Sequence, residues 1–184
     1  VKTKFFGAVD ATDADGISVS ASIGSATTLT LGGTLTSGGS YTSGDNIGQI
    51  ITITSAGDDS GITFTVVGTN AVGDALTEVV TGADTTVASS SGYFNTVTSI
   101  TTSAATAGAV TAGVLGSSTA GEMGTGTVFA GRTRIRGLQG LSGASAGNLL
   151  FKNTSVTGTT LLTVPTQAAA ELIEPYIPDN AVLF

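Results

Sequence analysis

The chain reads as an all-β protein: an antiparallel β-sandwich, of immunoglobulin-like or jelly-roll type, followed by a second, smaller β unit. Three observations predict this. Through residues 49–101, β-branched and aromatic residues alternate with Thr and Ser, the period of strands with one buried face. Gly/Asp/Asn clusters break the alternation at short intervals, at GDDSG and TNAVGD, and supply the residues that tolerate positive φ in tight turns. The 27 glycines and abundant Thr and Ser suit turns and pleated, half-buried surfaces.

Taken in order, residues 1–16 form an extended N-terminal arm ending in a polar turn, with Phe5 and Phe6 as an apolar anchor on this protein or a neighbour. Strands are expected at 17–25 and 27–35, the second placing Leu29 and Leu31 on one face, and the Gly/Ser run 38–44 is a loop. The clearest strands are 50–54, 62–67, 75–80 and 94–101. In the second of these, Ile62, Phe64 and Val66 share one face while Thr63 and Thr65 take the other, as a two-residue period demands. A strand at 110–115 closes a sandwich domain over 17–115. Residues 116–128 have linker composition. The C-terminal β domain, 129–184, offers strands at 132–138, 149–152 and 159–164. QAAAELIEP then allows at most two helical turns before Pro175 ends them, and IPDNAVLF closes the chain with a short strand.

Composition narrows the function. Charged residues make up 10 % of the chain and hydrophobic ones 40 %, against roughly 25 % charge in average soluble domains. A surface this poor in charge gives little protection against edge pairing, a liability in a free monomer but not in a subunit covered by neighbours. Cys, His and Trp are all missing, which removes Cys/His zinc sites, Ser-His-Asp catalysis and disulfides. The net charge of −7 argues against general nucleic-acid binding. No apolar run approaches the roughly 18 residues of a membrane helix. The start, VKTKFFGAVDATDADG, has no hydrophobic core of a signal peptide, and Val1 fits a terminus left by removal of Met. Synthesis in the cytoplasm followed by assembly is the expected route.

Several motifs invite chemistry. Asp10, Asp13 and Asp15, ahead of Gly16, form the best candidate for a hard cation. Aligned to an EF-hand loop, however, the first ligand position falls on Ala11 and the twelfth on Ser22, so an Asx-turn leading into a strand is the favoured reading. Arg132, Arg134 and Arg136 alternate along RTRIR and are half of the six cationic residues. On a strand they present three guanidinium groups on one face, a docking ladder for a partner's carboxylates. The alternative is internal pairing with Glu122 or Glu171. Asp58 and Asp59 are adjacent and so point to different sides, which favours a hairpin turn over a catalytic acid pair. EMGTGTVFAG lacks the Gly-Lys-Ser/Thr ending of a phosphate loop. No catalytic residue and no cofactor is implied.

Three blocks resemble structural proteins of tailed-bacteriophage virions, of the marine, cyanophage-like kind: TLGGTLTSGG at 30–39, IITITSAGDDSGITFTVVGTNAVGDALTEVVTG at 50–82, and YFNTVTSITTSAATAGAVTAG at 93–113. RIRGLQGL, NLLFKNTSVTGTTLLTVPT and IPDNAVLF are similar to a second element of such proteins, in which further strands usually follow AVLF. A neighbour's strand, or more chain, would supply that pairing. The resemblance implies a non-enzymatic virion component, assembled in the host cytoplasm, with the major capsid protein or other virion proteins as partners and homo-oligomers, trimers among them, as the working unit. Capsid decoration and cementing is the first expectation. A tail or fibre component is the second, and a bacterial surface adhesin or sheath protein a third.

Overall fold

The computed structural model describes residues 9–44, 47–116, 134–141, 146–153, 158–168, 171–175 and 182–183. The chain divides into two compact units, Val1–Thr127 and Val128–Phe184. All regular structure among the described residues is β, in antiparallel ladders.

Among its described residues the first unit has nine strands: β1 (Asp13–Ser22), β2 (Thr36–Ser37), β3 (Ser40–Thr42), β4 (Gln49–Ser55), β5 (Thr63–Thr69), β6 (Ala75–Thr81), β7 (Val87–Phe94), β8 (Thr96–Thr102) and β9 (Ala109–Leu115). The first sheet has the order β1-β9-β4-β7, the second β2-β3-β8-β5-β6. The β4–β7 and β5–β8 neighbours correspond to the B–E and C–F pairs of an immunoglobulin-type sandwich. The last strand differs: β9 lies between β1 and β4 instead of beside β8.

The core follows the alternation that the sequence announces. Ile51 and Ile53 on β4 and Val110, Ala112 and Val114 on β9 face Phe64 and Val66 on β5 and Val97 and Ile100 on β8, all fully buried. Burying each of these larger side chains contributes about 1.5–3 kcal/mol. β5 shows the pattern cleanly, its even-numbered residues buried and its odd-numbered ones half-exposed. The β5–β6 hairpin turns through Asn70 and Gly73, the latter at φ +95°. There the Asn70 side-chain carbonyl accepts from Val72 N at 2.9 Å and Asp74 N at 3.0 Å, satisfying backbone donors that the turn would otherwise leave unpaired.

Three expectations need correction here, and one strand went unforeseen. Residues 13–16 belong to β1, where Asp13 pairs with Val114, so the arm ends before residue 13. Residues 27–35 are not a strand. Leu29 N donates to Ile100 O of the second sheet, whereas Gly33 N and Leu35 N donate to Ile17 O and Gly16 O of the first. The segment therefore crosses between the sheets and buries Leu29 and Leu31 beneath it. The run 38–44 is a hairpin and not only a loop: Gly38 (φ +60°) and Gly39 (φ +79°) turn β2 into β3, which places Tyr41 in the core. The unforeseen strand is β7, which lies in the Ser-rich run VASSSGYF and bulges between Ser89 and Tyr93. There the Ser90 hydroxyl accepts from Ile51 N at 2.9 Å and donates to Gly92 O at 2.9 Å, standing in for ladder bonds that the bulge removes. A single residue, Asn95, then carries the chain from β7 in one sheet to β8 in the other.

Among its described residues the second unit contains three two-stranded ladders: β10 (Arg134–Ile135) with β15 (Val182–Leu183), β11 (Gly140–Leu141) with β14 (Leu172–Ile173), and β12 (Gly147–Lys152) with β13 (Thr160–Thr166). Across β12 and β13, Leu149 faces Val164 and Phe151 faces Leu162. The short helix expected within 167–174 is replaced by β14. Two helical turns are marginal in water, and Leu172 and Ile173 pair instead with Leu141 and Gly140.

Candidate functional site

The three N-terminal aspartates do not converge. Asp10 turns inward, its Oδ2 accepting from the Tyr41 hydroxyl at 2.9 Å and from Gln49 Nε2 at 2.8 Å. Burial, with Asp10 adjacent, pushes the Tyr41 phenol above its ordinary value of 10.0. Asp13 instead makes the Asx-turn, accepting from Asp15 N at 3.2 Å and from the Thr34 hydroxyl at 2.8 Å. The Thr34 hydrogen bond is the main reason that its carboxyl lies below the ordinary 3.8. Among the described residues no group of three acidic side chains is placed to hold a metal ion.

Asp58 and Asp59 do point apart. Asp58 is exposed and accepts from Ser60 N at 3.1 Å and the Ser60 hydroxyl at 2.6 Å, bonds that lower its pKa. Asp59 is fully buried, and its Oδ1 accepts from Ala107 N at 2.7 Å. Its backbone N–H donates to Ala83 O, so one residue ties three loops at the same end of the sandwich. The turn links β4 to β5 in opposite sheets; it is a crossover and not the expected hairpin. Nothing in the local sequence distinguishes Asp59 from Asp58; the difference arises from the long-range contact with Ala107.

Of the expected docking residues, Arg132, Phe5, Phe6 and the pairing candidate Glu122 lie outside the described residues. Arg134 and Arg136 are exposed on either side of the buried Ile135, as alternation requires, and neither guanidinium has a partner among the described residues.

A second surface was legible only as strand alternation and not as a site. On the outer face of the second sheet, Thr101, Thr65 and Val79 form one cross-strand row and Ser99, Val67 and Thr77 the next. A third row carries Thr96 and Thr69, whose hydroxyls lie 2.8 Å apart. β5, β6 and β8 contain one charged residue, Glu78. It lies on the inner side with Leu76 and Val80 and reaches β7, where its carboxylate accepts from Ser91 N at 2.7 Å and Gly92 N at 2.8 Å. The outer face is therefore free of charge. By contrast, residues 1–127 as a whole hold ten of the thirteen acidic residues and two of the six basic ones, a formal −8.

Among the described residues the chain is an all-β protein whose antiparallel sheets pack as a sandwich. No family model, curated protein or solved structure matches the chain.

Proposed function

We propose that the chain is a structural protein of a tailed-phage virion that decorates the head and cements its lattice. The observation that carries this reading is the resemblance of residues 50–82 and 93–113 to such proteins, segments that contribute β4, β5, β6 and β8 and most of β9. Its mechanism is non-covalent. The sandwich lies across boundaries between capsid subunits, with the major capsid protein as partner, and many moderate contacts repeated by symmetry resist internal pressure. The exposed Arg134 and Arg136 suit bidentate pairing with carboxylates on that partner.

Mass spectrometry of purified particles, with the chain located in a density map of the virion, tests the proposal. Expected is a copy number matching the head lattice and density on the capsid exterior. Density on the tail or fibres moves the protein to the second reading. Absence from every particle refutes both.

A further inference from the structure

Residues 9–116 hold β1 to β9 and carry nine acidic residues but no Lys, Arg or His. One of the nine, Asp59, is fully buried. Its backbone is satisfied, the N–H on Ala83 O at 3.0 Å and the carbonyl on Ile62 N at 2.9 Å. Its Oδ1 accepts from Ala107 N at 2.7 Å, while its Oδ2 has no partner among the described residues. A carboxylate out of water needs compensation by donors or by opposite charge, and no side chain of this segment can supply the charge. A second atom points the same way. Ser55 ends β4 on the inward side with Ile51 and Ile53, is 3 % exposed, and its Oγ is also without a partner among the described residues. Ser55 and Asp59 bracket the start of the β4–β5 crossover. Bonds from Ser55 N to Thr86 O, Thr85 N to Gly57 O and Asp59 N to Ala83 O hold the 82–86 loop against it. Asp58 and Asp84, both exposed, are bridged across these two loops and make the field there negative.

We propose that this end of the sandwich binds one calcium ion, with Asp59 Oδ2 as its buried carboxylate ligand and Ser55 Oγ as a second oxygen. Chemistry selects the class of ligand. The donors at this end are carboxylate, hydroxyl and peptide carbonyl oxygens, which suit hard cations and not soft ones. Calcium, unlike magnesium, tolerates the irregular geometry of such loops. Asp58 and Asp84 act at longer range, by raising the local concentration of cations, so the site needs no trio of acidic ligands. The ion supplies the charge that the segment lacks and fastens Asp59, the hinge of three loops, in place. The site goes beyond the virion reading and holds or fails independently of it.

The full chain, treated with chelator and then titrated with calcium chloride alone, tests the inference by calorimetry and by melting temperature. One calcium per chain, a melting temperature that rises with calcium and slower amide exchange at Ala107 are expected. Asp59→Asn keeps an oxygen for the Ala107 N–H and should lose all three responses. Ser55→Ala removes a hydroxyl that bonds nothing among the described residues. It should weaken calcium binding with the fold retained, and it decides the matter if Asp59→Asn does not fold. Asp13→Asn, at the opposite end of the sandwich, should respond as the unaltered chain does. No response up to about 10 mM calcium, above the range of the weakest protein calcium sites, overturns the inference. So does a response that Asp59→Asn or Ser55→Ala leaves unchanged. A response that Asp13→Asn abolishes places the ion among the N-terminal aspartates and also overturns it.

Discussion

Asp10 should behave as the peg that holds the N-terminal segment to the sandwich. In Asp10→Ala the Tyr41 hydroxyl loses its acceptor at 2.9 Å, and Gln49 Nε2 loses one at 2.8 Å while keeping Ser43 Oγ at 3.1 Å. Tyr41 is fully buried, so its hydroxyl is orphaned, which costs about 1–3 kcal/mol. A loss of about 2 kcal/mol is expected for the first unit. At a typical urea slope of about 2 kcal/mol per molar, the midpoint falls by about 1 M. Tyr41→Phe keeps the ring, deletes only the hydroxyl, and should cost about 1 kcal/mol. Once the hydroxyl is gone, removing Asp10 strands less, so the double variant should lose less than the two single losses combined, with a coupling of about 1 kcal/mol. Urea unfolding followed by circular dichroism measures all four proteins. Additivity within about 0.3 kcal/mol would refute the peg and leave Asp10 a bystander.

Gly113→Ala puts a Cβ into the carbonyl of Asp13 and should destabilise the first unit by about 1–3 kcal/mol in the same unfolding assay. Asp59→Ala orphans the N–H of Ala107 and should cost about 1–3 kcal/mol, with faster amide exchange at residue 107 as its local signature. Thr85 is a β-branched residue at φ 49°, so Thr85→Gly should raise the melting temperature by relieving about 1 kcal/mol of left-handed strain. The Asp13 carboxyl is lowered below 3.8, so its contribution is present above that pH and lost as pH falls through the lower folded-state value; Thr34→Val should flatten that acid limb. Tyr41 is shifted the other way, above 10.0. Its contribution is full below pH 10.0 and lost as pH rises towards the folded-state value, and absorbance titration should find this tyrosine silent until the unit unfolds.

Strands whose two faces differ in polarity were legible in the sequence. β4, β5, β6 and β9 each set Ile, Phe or Val against Thr, and the expected ranges fall within or beside the observed ones. What misled was composition standing for structure. TLTLGGTL has strand grammar but divides its bonds between two sheets, and the Ser-rich strand β7 was not foreseen, because there a Ser hydroxyl replaces a ladder bond at the bulge. Ala and Glu at 168–171 favour a helix, and the pairing of Leu172 with Leu141 overrides them. At the site level, the alternating arginines were readable and the charge-free Thr face was visible as periodicity. The burial of Asp59 and the inward bonding of Asp10 were not, because each depends on partners dozens of residues away.

The pairing of Asp13 with Val114 at one end of the β1–β9 ladder has a mechanical consequence. The chain enters and leaves the first unit side by side, so tension along the backbone would not shear the sheet. It would unzip β1 from β9 one hydrogen bond at a time, the weakest way to load an antiparallel pair. The bond from Gly116 N to Thr12 Oγ1 and the Asp10 peg lie just beyond that end of the ladder and act as the slider stop of the zipper. Any durable load on this protein is therefore best carried through the flanks of the sandwich, while the adjacent chain ends would let the whole unit be spliced into a surface loop of another protein without opening it.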